Sequence, residues 1–358
     1  MSPDEPLIVP VTFNAPNDGT GQSNSRQASS SHLPLTPGSS SSHQAENNHI
    51  HDEFTVNMTH MRLLDNFHSM AFLEMQTLGK GDIPPSHFYK RALTTPYIMH
   101  ACLASSAMHL ATQDKEHAAF WRDYTNGLQH QAITLFNKAH PVLDVNADNC
   151  ETMFLWSALV GVHVLGDAIL FERGSLQAFM ERFTTGLKLY RGILTIIDSC
   201  KELLFETETG AYLKISGAQL KSTTSRDGPE CEDIKRMLED AQIDRPAQQQ
   251  CLSAVLELQR IFNAHKAIGA DTAVVPLIFA WPFFISEDFV ALLQNMHPQA
   301  LVLFAQYAVL LYRARHLWLL GDGGEFLIRA IYAYVDPELR ECMKQPMEEL
   351  GDTSMDMG

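Results

Sequence analysis

A nearly uninterrupted apolar stretch close to the C-terminus constrains the fold more than any other feature of this chain. From Ala300 to Tyr312 a single strongly polar side chain, Gln306, interrupts the run, and Arg313 and Arg315 follow it directly. A transmembrane helix needs about 20 apolar residues, so this run is too short to cross a membrane. A helix that is apolar on every side is normally buried inside a protein. We therefore predict a buried helix here and no membrane span.

The hydrophobic pattern upstream predicts further helices. From Met58 onward, Met61, Leu64 and Phe67 recur at a spacing of three, which is typical of one face of a helix. Alternation of apolar and polar residues over the length of a strand does not occur, and neither does a repeat of fixed period. The sequence therefore predicts an all-α fold, built as a single multi-helix domain.

Proline, glycine and polar segments predict where the individual helices begin and end. Pro96 occupies a favoured first-turn position, and Gly166, Gly174 and Gly192 are expected to separate the middle helices. The predicted helices cover Tyr97 to Thr112, Lys115 to Ala139, Asn149 to Gly166, Ser175 to Tyr190, Ile193 to Leu204, Gln248 to Ala267, Glu287 to Met296, Pro298 to Leu320 and Glu325 to Val335.

Composition divides the chain into three parts. Residues 1–57 are rich in Ser, Pro and Asn and lack the apolar area that would offset the entropy of ordering, so we predict a disordered tail. Residues 58–346 form the helical domain. Within it, the polar segment at about 205–248 is predicted to be an insertion, a loop around one short helix near Ile234, because apolar helices continue on both sides. Residues 347–358 are predicted to be a flexible C-terminal tail.

Charge and cysteine content exclude several classes of binding site. The chain has 26 Lys and Arg against 42 Asp and Glu, a net charge of −16, so its field repels phosphate backbones. We expect no direct nucleic-acid binding by this chain. The 6 cysteines are far apart and form no Cys-x-x-Cys pair, which excludes a binuclear zinc cluster of closely spaced thiolates. The N-terminus resembles no secretion signal, so the thiols are expected to be reduced inside the cell.

Motifs that carry catalysis or hold metals are absent from the sequence. The 16 histidines make no His-Glu-x-x-His pair, and no Gly-x-Ser-x-Gly elbow occurs. His163 is predicted to be a core or helix-boundary histidine whose polar atoms are satisfied. The segment Gly321-Asp322-Gly323-Gly324 lacks the lysine of a phosphate-binding loop and is better explained as a helix stop in which glycine supplies a positive φ. We expect no catalytic residue, no metal site and no cofactor.

Large aromatic residues concentrate in the C-terminal third. They include Phe279, Trp281, Phe304, Tyr307 and Trp318. Such side chains can line a deep apolar pocket for a lipophilic ligand, but they can equally fill a core. The residues alone leave both interpretations open.

Four segments, in order, carry a resemblance to a known family. They are residues 63–67, the proline-initiated segment 95–111 with its late His-Leu-Ala, the Phe-Ala-Trp-Pro element at 279–282, and residues 297–335. Together they resemble, over roughly residues 62–345, the regulatory domain of fungal six-cysteine zinc-cluster transcription factors, in the branch of the sterol uptake control proteins. The cysteine cluster through which that family reads DNA has no counterpart in residues 1–57, which contain no cysteine.

The resemblance implies a helical regulatory domain that holds an apolar, sterol-like molecule between its C-terminal helices. It implies a nuclear protein that regulates genes of sterol or specialised metabolism, with the transcription machinery or a full-length relative as partner and with shuttling to the cytoplasm left open. The ligand-binding residues that it implies are Trp281, Phe283, Phe304, Tyr307, Leu311, Trp318, Leu319 and Gly321.

Other functions are compatible with the same sequence. A helical pocket could instead belong to a pathway enzyme or to a carrier of lipophilic small molecules in a fungal biosynthetic cluster. The domain could also be a scaffold that pairs with full-length relatives through its helical faces. The missing cysteine cluster fits a truncated gene, a regulator without a DNA-binding half, or a fold reused for another task.

Overall fold

All the regular secondary structure that the computed structural model describes is helical. The described residues are 57–74, 83–199, 201–222, 225–268 and 275–351, and they contain no strand, which confirms the predicted all-α fold. The predicted disordered tail lies outside them except for its last residue, Asn57. The chain divides into residues 1–62 and residues 63–358. In the first unit, Asn57 caps the opening helix, because its side-chain oxygen accepts a hydrogen bond from the His60 amide at 3.0 Å.

The helices are numbered here in chain order. They are α1 (Met58–Glu74), α2 (Pro85–Ala92), α3 (Pro96–Gln113), α4 (Ala118–Ala139), α5 (Cys150–Phe171), α6 (Leu176–Ser199), α7 (Lys201–Phe205), α8 (Glu208–Ser222), α9 (Glu232–Asp240), α10 (Arg245–Ile268), α11 (Val275–Phe284), α12 (Glu287–Gln294), α13 (Pro298–Arg313), α14 (Gly323–Tyr334), α15 (Pro337–Arg340), a 3-10 turn (Glu341–Met343) and α16 (Lys344–Glu349).

The apolar helix α13 lies at the centre of the larger hydrophobic core. Every residue from Ala300 to Leu311 is buried, which confirms the buried helix predicted from its composition. Phe304 packs against Phe179 and Phe183 of α6, with ring centroids 6.3 and 5.1 Å apart. Burying an apolar side chain of this size contributes about 1.5–3 kcal/mol, so the buried side chains of α13 contribute strongly to the stability of the C-terminal half.

A second, smaller core joins α1, α3 and α4. Its buried side chains include Leu63, Ala104, Ala107 and Trp121. The alanines of α3 let the neighbouring helices approach closely, and Pro96 starts this helix at its first turn. The predicted proline-initiated, small-residue helix is therefore present with its bounds shifted by one residue at each end.

Two glycines that were expected to end helices lie inside them. The helix α5 continues through Gly166 to Phe171, and α6 continues through Gly192 to Ser199. An interior glycine costs a helix only about 1 kcal/mol, and tertiary packing of a long helix outweighs that cost. The predicted boundaries at Gly166 and Gly192 are wrong for this reason.

The polar segment at about 205–248 is more ordered than an inserted loop. It contains the predicted short helix near Ile234, which is α9, and also α8, which was not predicted; Ile234 and Leu238 of α9 are buried in the larger core. The α11 helix was not predicted either, and α13 ends at Arg313 and not at Leu320. Short helices of this kind depend on tertiary contacts that no local pattern records.

The C-terminal end of the domain extends past the predicted boundary at residue 346. Met347 of α16 is only 7% exposed. Arg313 donates to both carboxylate oxygens of Glu349, at 2.9 and 2.8 Å, so α16 is held against α13. Residues 352–358 lie outside the described part of the chain.

Among the described residues, α5 alone has the length and composition of a membrane-spanning helix. In its most apolar window 61% of the residues are buried inside the domain. His163 of this helix is 6% exposed, and burial lowers its pKa to about 4. The position of His163 confirms a core histidine, but its Nδ1 atom is buried without a hydrogen-bond partner, so the prediction that its polar atoms are satisfied is wrong. The helix α5 packs as a core helix of the domain.

Candidate ligand-binding site

Three aromatic side chains from α11 and α13 form a buried cluster, the aromatic stack (Trp281, Phe304, Tyr307). Trp281 stacks on Tyr307 with ring centroids 4.8 Å apart and an interplanar angle of 28°. Phe304 lies 6.2 Å from Trp281 and 5.5 Å from Tyr307. All three side chains are 0% exposed. Phe304 and Tyr307 share one face of α13 because they are three residues apart.

The two polar atoms of the aromatic stack have different surroundings. Trp281 donates its indole N–H to the backbone carbonyl of Ala254 at 2.9 Å. The hydroxyl of Tyr307 is buried and has no hydrogen-bond partner. Burial raises the pKa of Tyr307, so the hydroxyl keeps its proton. A buried polar group without a partner costs about 1–3 kcal/mol. The stack therefore contains one hydroxyl that could bond to a polar group of a ligand.

The predicted residues near the C-terminus lie on the segment between α13 and α14, the C-terminal turn (residues 314–322). Trp318 meets the His109 ring of α3 edge to face at 5.2 Å. Leu319 is 7% exposed and packs against Gly166 of α5. Gly321 has a φ of 46°, which confirms the predicted use of glycine in this turn.

Close contact with α5 fixes the C-terminal turn. A Cβ atom at Gly166 would lie 2.4 Å from Leu319 Cδ1, and one at Gly323 would lie 2.8 Å from the Ile169 carbonyl oxygen. Such distances exclude any side chain larger than hydrogen unless the neighbours move. The predicted residues thus form two groups, the aromatic stack inside the core and the C-terminal turn against α3 and α5.

The last two predicted residues lie on the helices of the aromatic stack. Leu311 is buried in α13, four residues beyond Tyr307. Phe283 belongs to α11, but its side chain is outside the described part of the chain. Binding of an apolar ligand by these residues remains a prediction.

A small cleft lies away from both groups. It has room for no more than a water-sized molecule, and it is lined by the loop before α9 and by one face of α10, including Gly228, Cys231, Val255 and Gln259. Burial raises the pKa of the Cys231 thiol, so the thiol stays protonated. The Gln259 side chain is already bonded to Glu230 at 2.7 Å and to the Cys231 amide at 2.9 Å. The Gln259 side chain is therefore already bonded at both its oxygen and its nitrogen.

A buried polar network connects α2, α5 and α8, and the sequence did not predict it. Thr209 hydrogen-bonds His87 at 2.9 Å and donates both its amide and its hydroxyl to Glu151, at 3.0 and 2.9 Å. Arg91 pairs with the other carboxylate oxygen. Burial alone would raise the pKa of Glu151, but the hydrogen bonds from Thr209 and the charge of Arg91 outweigh it and lower the pKa. The network anchors α8, and the partners are too far apart in sequence for a local motif to reveal them.

One comparison with known proteins bears on this fold. A family model described as the fungal specific transcription factor domain matches residues 47–202, which include α1 to α6. No curated protein matches the chain. The match supports the resemblance to fungal transcription factors. It ends before the aromatic stack and the C-terminal turn, so the sterol-responsive branch remains a prediction.

Proposed function

We propose that this chain is a transcription regulator of the fungal type, whose helical domain binds an apolar, sterol-like ligand. The regulator role rests on one observation, the match of residues 47–202 to the fungal specific transcription factor domain. A nuclear location follows from that role. The genes under control would be those of sterol or specialised metabolism, as the resemblance in the C-terminal third implies.

The aromatic stack supports the ligand class. A sterol-like molecule has a large apolar body and few polar groups, and it would contact the rings of Trp281 and Phe304 through that body. The hydroxyl of Tyr307, which lacks a partner, would hydrogen-bond the polar group of the ligand. The bond would remove the cost of the unpaired hydroxyl, about 1–3 kcal/mol. The described structure has the rings in direct contact, so binding requires α11 and α13 to move apart.

Regulation would follow from a shift between two packings of the C-terminal helices. A ligand changes such an equilibrium only through its differential affinity for the two states. The separated packing of α11 and α13 would bind the ligand, and the closed packing would not. A partner from the transcription machinery, or a full-length relative, would then distinguish the two packings at the protein surface.

A titration with a fluorescent sterol, dehydroergosterol, tests the ligand half of the proposal. The purified chain should bind it saturably, and the Tyr307→Phe variant should bind about 5- to 100-fold more weakly, the equivalent of the 1–3 kcal/mol cost that the ligand bond removes. Tyr334→Phe is the matched control, because Tyr334 lies on α14 and is 52% exposed. Absence of saturable binding, or equal weakening by both variants, would contradict the proposed site.

A further inference from the structure

One half-buried histidine joins the opening helix to the C-terminal turn. His109 of α3 has its ring centroid 5.2 Å from that of Trp318, at an interplanar angle of 75°. On its other side, its Nδ1 atom lies 3.3 Å from the side-chain nitrogen of Asn66 in α1. We call these three residues the His109 bridge. It brings together two segments that are more than two hundred residues apart in the chain.

Hydrogen bonding fixes the geometry of the His109 bridge. The Asn66 side-chain nitrogen also donates to the backbone carbonyl of Ser106 at 3.2 Å and to the Ser106 hydroxyl at 2.8 Å. A carbonyl oxygen can only accept, so the nitrogen of the Asn66 amide must face it. The Asn66 nitrogen has two hydrogens for these three acceptors, so one hydrogen is shared between two of them. Because that nitrogen cannot accept a hydrogen bond, His109 Nδ1 faces it as an acceptor, which places the ring proton on Nε2.

The surroundings support this single form of the ring. Burial lowers the pKa of His109, which favours the neutral imidazole that an acceptor role requires. The Ser106 hydroxyl, which accepts from Asn66, in turn donates to the Leu63 carbonyl at 2.7 Å. Ser106 is therefore also bonded to α1. The ring of His109 is thus oriented by α1 on one side and by the indole of Trp318 on the other.

We propose that the His109 bridge transmits changes in the C-terminal turn to α1. This inference rests on the proposed function, in which a ligand between the C-terminal helices changes their packing. Other residues of the turn contact different elements. Leu319 packs on Gly166 of α5, and Asp322, just before α14, pairs with Arg173 at 2.7 Å. Trp318 reaches α3, and through His109 its position is linked to the side chain of Asn66. His109 acts as a positioning residue between the two.

Adjacent contacts do not prove coupling, which requires a measured interaction energy. A triple-mutant cycle on the full chain provides it, with Trp318→Ala, Asn66→Ala and the double variant, each made with His109 present and with His109→Ala. Asn66→Ala also removes the Asn66 bonds to Ser106, but it does so in both backgrounds, with His109 present and with His109→Ala, so this effect cancels in the comparison. With His109 present, the combined effect on the unfolding equilibrium constant should depart from the product of the single effects by about twofold or more. Without His109 the effects should multiply.

The same cycle can overturn the proposal. Independent effects in both backgrounds, or the same departure in both, would show that His109 does not couple the two residues. If a variant fails to fold, amide hydrogen exchange of Trp318→Phe, which keeps an aromatic ring, decides instead. Exchange should rise in residues 63–74 relative to wild type, whereas Tyr334→Phe should leave it unchanged. Equal exchange in all three proteins would refute the coupling.

A failure of the ligand proposal can be distinguished from a failure of the coupling proposal. Neither the cycle nor the exchange comparison uses a ligand, so both remain valid if the chain binds no sterol. If dehydroergosterol does bind, it should change exchange in residues 63–74 of the wild type. In His109→Ala it should still bind but leave that segment unchanged. If sterol binds His109→Ala and changes exchange in residues 63–74 as much as in the wild type, the His109 bridge is refuted, but the proposed ligand site is not.

Discussion

Gly324 is the position where the smallest change should do most damage to the C-terminal packing. It lies in the first turn of α14, and a Cβ atom there would lie 2.4 Å from the Tyr312 amide nitrogen and 2.8 Å from the Ala308 carbonyl oxygen of α13. Both atoms belong to backbone, so a rotamer change cannot relieve the overlap. Gly324→Ala must therefore displace α14 from α13.

The expected magnitude follows from two opposing effects. Overpacking a filled site costs about 1–3 kcal/mol and sometimes more, and the backbone overlap puts Gly324→Ala at the upper end. Replacing glycine by alanine in a helix gains up to about 1 kcal/mol. The net effect should be a loss of about 2 kcal/mol or more. Gly127→Ala isolates the gain, because a Cβ atom at this interior position of α4 would meet nothing within 4 Å.

Equilibrium unfolding in urea, followed by circular dichroism, measures both variants. Gly127→Ala should raise the free energy of unfolding by about 1 kcal/mol, and Gly324→Ala should lower it, so the same chemical change has opposite signs at the two sites. Melting temperatures should differ in the same sense, by about 2–4 °C for each kcal/mol. Equal stabilisation by both substitutions would refute the close approach of α13 and α14.

Three further predictions concern buried polar groups. Burial lowers the pKa of His163 to about 4 from 6.5, so the unfolded chain binds this proton first as the pH falls, and His163 should lower stability by about 3 kcal/mol between these values. The raised pKa of Asp167 has the opposite sign, so the test is the difference in pH slope between the wild type and His163→Phe, and equal slopes would contradict the prediction. Thr209→Val leaves His87 and Glu151 without a shared partner and should lower the free energy of unfolding by about 1–3 kcal/mol, whereas an unchanged urea midpoint would count against the network. Tyr307→Phe removes a hydroxyl that has no partner and, without ligand, should leave stability unchanged or raise it by about 1 kcal/mol; a clear loss in thermal unfolding would mean that the hydroxyl is bonded.

Local sequence signals predicted the helices that carry strong patterns. The apolar run of α13 and the Thr95-Pro96 start of α3 needed no tertiary information, because composition and proline stereochemistry determine them locally. Gly192 misled the prediction for α6, since a single glycine weakens a helix by less than its packing stabilises it. The helix α8 depends on Thr209, whose partners His87 and Glu151 lie 122 and 58 residues away.

The candidate site was predictable only in part. The family resemblance selected Trp281, Phe304 and Tyr307, which the fold brings into one stack. Nothing in the amino-acid sequence indicated that the Tyr307 hydroxyl would lack a partner or that Trp318 would contact His109. Both facts depend on how helices from distant parts of the sequence pack, and packing of this kind leaves no local pattern.

The most direct test of the regulator role is reporter transcription driven by this chain when it is fused to a heterologous DNA-binding domain in a fungal host. Transcription should be measured with and without sterol depletion, and with Tyr307→Phe and Tyr334→Phe as the paired variants. Reporter activity should change when sterol is depleted, and the change should be reduced in Tyr307→Phe and retained in Tyr334→Phe. A fusion that is expressed, nuclear and silent in both conditions would contradict the proposed regulator role.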